Sequence, residues 1–357
     1  MNKPVNILSL LLILCFIACT DDAEVQVQDS VSISLPARVE PYINIGGPTR
    51  VSNVDDTAYR GVNPKDNPFH AKICFTFTDG IYANSPQAPT YLPIHTNIFF
   101  NQNTPVFPDK YYGNDLKYPT DDRDIYTVAF YPQDTEGNTW NISETDHKTA
   151  THVINGSQDL MYAPQIKGNR IYPFPSQTFH HLLTWLRFCV RATTAEAINN
   201  WGPVEYIRIK TLTQANIDLS KPLVNLNDNE RNAVTYSDND NDETNNLIDI
   251  YVDTDSEPMP DDKKVTLTTT FAQAGSVMCA PSTSYTLYIK TKNYPEEKTI
   301  NITLNDINNY PINDTESTRG KLFVVELEFH PFNVVESVCV LNDWEAQDED
   351  LFNDNQE

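Results

Sequence analysis

Residues 284–292 read "SYTLYIKTK", and their alternation decides the fold. Tyr285, Leu287 and Ile289 fall on one side of an extended chain, while Thr286, Tyr288 and Lys290 fall on the other. A period of two with β-branched and aromatic residues describes a strand with one buried face. The same signature recurs in "AKICFTFTD" (71–79), "DIYTVAFYP" (124–132), "LTWLRFCVRA" (183–192) and "VEYIRIKTLT" (204–213). It continues in "LIDIYVD" (247–253), "KVTLTTTFA" (264–272), "KTINITLND" (298–306), "KLFVVELEF" (321–329) and "ESVCVLNDW" (336–344). The chain is therefore expected to be all-β.

Between these segments run proline-rich stretches such as "NSPQAPTYLP" (84–93) and "NTPVFPDKYY" (103–112), with 24 prolines against 11 glycines overall. Such connections suit a β-sandwich with elaborate loops. Only "TTAEAINNWG" (193–202) reads as helix, for a turn or two, and the strand pattern restarts after it. That stretch is the expected seam between two β-sandwich domains, 39–195 and 196–345, with an acidic tail at 346–357. A chain of 357 residues is long enough for two ordinary cores.

The formal charge of −24 sets 49 acidic residues against 25 lysines and arginines, with no basic stripe. Nucleic acid is therefore not an expected partner. No phosphate-cradling, dinucleotide, nucleophile-elbow or zinc-protease motif occurs, so neither an enzyme nor a cofactor is expected. The adjacent His180 and His181 point to opposite faces of a strand, so they are expected to be one buried, hydrogen-bonded residue and one exposed. In "DNDNDETNNLID" (238–249), Asp238, Asp240, Asp242 and Asp249 have the spacing of a calcium loop. Glu243 occupies the glycine position of the sharp turn, so a solvated acidic loop is the expectation. Cys74, Cys189, Cys279 and Cys339 sit in apolar surroundings without metal-site spacing, and are expected to be buried free thiols.

The N-terminus "MNKPVNILSLLLILCFIAC" has one lysine and then an apolar block over 7–19, too short to span a bilayer and of the length of a signal-peptide core. "FIAC" resembles a bacterial lipobox, with Phe16 where leucine is usual. Residues 1–19 are expected to be a lipoprotein signal peptide and Cys19 the acylated residue; an ordinary secretory cleavage beside an incidental cysteine is the alternative. The acidic "TDDAE" after it resembles the surface-export signal of Bacteroidetes lipoproteins.

The order of segments is then informative. The leader "VQDSVSISLPAR" (27–38) precedes "INIGGPTRVSN" (43–53) and the first core strand; "DLMYA" (159–163), "FHHL" (179–182) and a final strand ending at Trp344 follow. This resembles the fimbrillin family of Bacteroidetes, subunits of type V pili and their lipoprotein relatives. The resemblance implies two tandem transthyretin-like β-sandwich domains. It also implies an outer-membrane, surface-exposed lipoprotein held by lipid at Cys19, whose partners are other fimbrillin-like subunits and host or bacterial surface ligands. A trypsin-like protease would cut after an arginine in the leader (20–38), and a strand from another subunit would fill the groove left behind, giving a fimbria. Val31, Ile33 and Leu35 alternate with Ser32, Ser34 and Pro36, so one face of the leader is apolar and suited to plug such a groove. Arg38 is the first choice for cleavage and Arg50 the second.

At the far end, "FNVVESVCVLNDW" places Val334, Val338 and Val340 on one face and Val335, Cys339 and Leu341 on the other, as in a strand buried on both sides. Val338, Val340 and Trp344 are the candidate residues of a C-terminal strand, either in its own domain or donated to a neighbour. The acidic end following them would resist entry into a dry groove. Two further readings are a non-polymerising surface lipoprotein that binds glycan or a host ligand, and a surface hydrolase.

Overall fold

The computed structural model describes residues 33, 35, 37–39, 69–82, 94–101, 104–106, 117–136, 139–221, 233–239, 246–306, 308–332 and 334–341. In chain order the strands are β1 (Ala37–Val39), β2 (Phe69–Thr76), β3 (Ile94–Asn101), β4 (Thr104–Val106), β5 (Ile125–Tyr131), β6 (Asn141–Ile142) and β7 (Thr149–Val153). There follow β8 (Met161–Gly168), β9 (Gln177–His181), β10 (Thr184–Ala192), helix α1 (Ala195–Trp201), β11 (Val204–Lys210), β12 (Gln214–Asp218), β13 (Val234–Ser237) and β14 (Leu247–Val252). The chain closes with β15 (Ala272–Cys279), β16 (Ser284–Thr291), β17 (Lys298–Thr303), β18 (Leu322–Phe329) and β19 (Val335–Leu341). The all-β expectation is met.

Four sheets result. A seven-stranded sheet has the order β1-β9-β8-β5-β2-β3-β4, and a four-stranded sheet, β13-β12-β7-β6, shares a hydrophobic cluster with it. Cys74, Val128, Phe130 and Tyr162 of the large sheet meet Ala150, Ala215, Ile217 and Val234 of the small one. Trp140 stacks on Phe130 with ring centroids 4.8 Å apart and leans on His152 at 4.7 Å. The remaining sheets, β15-β10-β18-β19 and β14-β11-β16-β17, bring Phe188, Val190, Val325 and Leu327 together with Ile207, Ile209, Leu287 and Ile289. These are alternate residues of their strands, as the period of two requires.

Helix α1 forms where the seam was expected. The side chain of Thr194 accepts a hydrogen bond from the Ala197 N–H at 3.2 Å, and Gly202, at φ 69°, ends the helix. Trp201 fixes it by donating from Nε1 to the His330 carbonyl at 2.7 Å and by meeting the Phe329 ring edge-on. Strands on the two sides of this helix pair across it. β7 is antiparallel to β12, while β10 lies between β15 and β18, parallel to the latter.

One expected strand is displaced. "KVTLTTTFA" carries no strand over 264–271, and β15 begins only at Ala272. The alternation there has a different cause: Val265 and Leu267 are buried, and the Val265 N–H donates to the Tyr251 hydroxyl at 2.8 Å. A side chain, not a ladder, holds that segment. β15 itself, "AQAGSVMC", contains the small residues a close approach demands: a Cβ on Gly275 would lie 2.6 Å from the Ile250 carbonyl oxygen.

Candidate leader-strand groove

The large sheet is buried on both faces. In β2, Ala71, Ile73 and Phe75 face one way and Cys74 the other; in β5, Ile125, Ala129 and Tyr131 oppose Val128 and Phe130. The first set belongs to a second, smaller cluster, and the leader completes it. Ile33 and Leu35 lie in this cluster beside Phe179, with Leu35 only 2% exposed. Burying a side chain of that size contributes roughly 1.5–3 kcal/mol relative to leaving it in water.

Backbone pairing fixes the leader in place. β1 runs parallel to β9, with Ala37 opposite Gln177, Arg38 opposite Thr178 and Val39 opposite Phe179. It forms one edge of the sheet, yet β4 at the other edge approaches it, so the sheet curls towards closure around the smaller cluster. The floor is aromatic. Phe174 packs on Tyr118 at 5.6 Å and on Phe75 at 6.1 Å, and its N–H donates to the Tyr118 hydroxyl at 2.9 Å. Gly168 permits this fold-back, because a Cβ there would lie 2.6 Å from the Phe174 nitrogen.

Two of the motifs noted in the sequence meet behind the groove. Asp159, which opens "DLMYA", and His181, in "FHHL", are both buried and lie within hydrogen-bond distance. The opposite-face expectation for the histidines is met in part: His181 is buried and bonded, whereas His180 is half-buried. The pairing of Asp159 with His181 was not legible, because nothing in either motif says which strand lies beside which.

Cys19, Val31, Arg50 and Trp344 lie outside the described residues. Arg38 is the middle residue of β1. Val338 and Val340 belong to β19, which pairs with β18 in its own sheet. Burial of both faces of that strand is corrected for the single chain: Cys339 is buried, but Val334 and Val338 are 46% and 47% exposed. The alternation that buries Cys339 turns Val338 to solvent.

Asp240, Asp242 and Glu243 also lie outside the described residues. Asp249 is engaged elsewhere, accepting from Arg208 Nε at 2.6 Å. Among the described residues no His, Cys, Asp or Glu cluster is arranged to hold a metal. The four cysteines are free thiols, three buried and Cys189 partly exposed. Burial pushes Cys74 and Cys279 up to about 12.

A separate cleft of about 430 Å³ is lined by Lys210, Leu212, Asp238, Asn246, Ser282 and Thr315 among others. Tyr285, which also lines it, is buried and donates its hydroxyl to the Ala280 carbonyl at 2.8 Å. No helix among the described residues is long and apolar enough to cross a membrane.

The chain matches no protein-family model and no curated protein sequence. It is similar to solved structures at low identity. A protein from Bacteroides uniformis described as a cell adhesion protein is 13% identical, with a TM-score of 0.49, covering 88% of this chain and 98% of that one. A fimbrial assembly protein from Parabacteroides distasonis is 8% identical, with a TM-score of 0.38, covering 87% and 96%. The fimbrial anchor protein of Porphyromonas gingivalis is 10% identical, with a TM-score of 0.38, covering 88% and 98%.

Proposed function

We propose that the protein is a structural or adhesive subunit of a cell-surface fimbria, exported as a lipoprotein through Cys19 and assembled by exchange of its leader strand. Cleavage after Arg38 frees the leader, and a strand from another subunit takes its place beside β9. The observation that carries this reading is the burial of Ile33 and Leu35 against the smaller cluster, just ahead of the edge strand β1. An edge strand held on one flank peels away more readily than an interior one, and the exposed edge then offers a backbone ladder and apolar pockets to a successor. The protein acts by assembly, with no reaction of its own.

Trace trypsin on the purified chain tests it. Mass spectrometry is expected to show loss of a segment ending at Arg38 or Arg50 with the remainder resistant, and gel filtration is expected to show slow oligomerisation afterwards. A clean cut followed by a lasting monomer that also refuses added leader peptide overturns the exchange reading.

A further inference from the structure

Two buried polar side chains interrupt the apolar lining of the groove. Gln177 on β9 and Thr127 on β5 face the same side as Phe179 and Ala129, and both are buried, at 1% and 0% exposure. The Gln177 Nε2 donates to the carbonyls of Pro164 at 3.0 Å, Ala163 at 3.3 Å and Thr127 at 3.4 Å. A bulge opens those carbonyls: Thr127 pairs with Ile166 but Ala129 pairs with Ala163, so β8 carries an extra residue there. Three carbonyl oxygens around one nitrogen fix which way the amide points, since the flipped amide would set oxygen against oxygen.

The other end of that amide faces the groove without a partner among the described residues. Neither Gln177 Oε1 nor Thr127 Oγ1 has a hydrogen-bond partner among the described residues. Buried polar atoms are seldom left so. The residue in register with Gln177 is Ala37, whose methyl carries no hydrogen-bonding atom.

We infer that Gln177 and Thr127 form a polar notch that selects the strand replacing the leader, favouring one with a hydroxyl or carboxamide side chain opposite Gln177 over a uniformly apolar one. This deepens the exchange reading above and rests on it. A hydroxyl can serve both kinds of atom, donating to Gln177 Oε1 and accepting from Thr127 Oγ1. No described residue of the leader makes either bond, so a strand from another subunit with Ser, Thr or Asn opposite Gln177 gains both. Thr127 and Gln177 thereby bias the exchange towards the partner.

Two measurements separate the notch from the exchange. In the full chain, Ala37→Thr is compared with the isosteric Ala37→Val by urea unfolding. The threonine variant is expected to have a folding equilibrium constant about three- to tenfold larger, the range for one net hydrogen bond. Gln177→Met is expected to erase that difference, and Thr127→Val supplies a milder background should Gln177→Met fail to fold. Equal stability of the Thr and Val variants overturns the notch. In the trypsin-trimmed protein, fluorescent peptides of residues 27–38 carrying Thr or Val at position 37 are titrated. Threonine is expected to bind about three- to tenfold more tightly. Equal binding of the two peptides overturns the notch, whereas a threonine advantage in the full chain with no peptide binding upholds the notch and overturns the exchange.

Discussion

Asp159 Oδ2 lies 2.6 Å from His181 Nδ1, with both side chains shielded from solvent. The pair sits where β9 ends and the chain turns into β10, next to the Leu182 N–H bonded to the Leu160 carbonyl at 2.8 Å. Removing one member of a buried pair takes a partner from the other in a dry site. Asp159→Ala is therefore expected to lower stability by about 3 kcal/mol. Asp159→Asn, which keeps shape and a hydrogen bond, is expected to cost less. Urea unfolding monitored by tryptophan fluorescence checks both, and a loss below about 1 kcal/mol for Asp159→Ala would mean that the pair does not hold the junction.

Leu35 and Val338 are both apolar residues that the sequence assigns to strands, yet their burial differs widely. Leu35→Ala removes a buried side chain from the smaller cluster and is expected to cost about 2–4 kcal/mol. Val338→Ala, on a solvent face, is expected to stay within about 0.5 kcal/mol. Thermal melts of the two variants decide it. A Leu35→Ala variant as stable as the parent would mean that the leader contributes little to the fold.

His152 gives a pH dependence whose sign is fixed by its surroundings. Desolvation against Trp140 lowers its pKa from 6.5 to about 4, opposed by its Nδ1 bond to the Val153 carbonyl and by the Asp134 carboxylate, with the Lys72 ammonium adding to the lowering. The unfolded chain binds a proton near pH 6.5 and the folded chain only near pH 4, so stability falls as pH drops through that window. The change attributable to His152 is up to about 3 kcal/mol. Urea midpoints at pH 7 and pH 4.5 should converge in His152→Phe relative to the parent.

Thiol chemistry follows burial. Cys74, Cys279 and Cys339 are enclosed and their ionisation is suppressed by desolvation; Cys189 is also raised by burial but remains partly exposed. Ellman's reagent at pH 8 is expected to label Cys189 first and slowly, and the other three only in denaturant. Rapid native labelling that persists in Cys189→Ser would contradict this packing.

The sequence made strands legible where one face is wet. β16 and β18 are cases: Leu287 and Ile289, or Leu327 and Phe329, alternate with Thr286, Tyr288, Glu326 and Glu328, and burial follows that alternation. Helix α1 was legible as the short helical stretch "TTAEAINNWG", which Thr194 caps with Glu196 in the first turn. Partnership was not legible. That β1 lies beside β9, or β7 beside β12, depends on long-range closure for which no local residue carries a mark. β15 was missed because its Ala, Gly and Ser content answers the proximity of Ile250 across the sandwich instead of a strand propensity.

The same limit applies at the groove. The alternation of Val31, Ile33 and Leu35 identified the leader's apolar face, and Ile33 and Leu35 are buried through it. Gln177, however, reads in "SQTFHH" as a loop glutamine. Its role depends on a bulge in another strand and on three carbonyls it reaches only in the fold.

The pairing of strands across α1 also bears on tension. Cutting the covalent chain at the helix would not part the two halves, since the β7–β12, β10–β15 and β10–β18 ladders still join them. A pull applied between the first and last strands is thus shared by many hydrogen bonds in different sheets before any flexible linker can extend. The molecule is built as a spliced rope, with each half of the thread tucked under the other, and it should yield to force in one event instead of two.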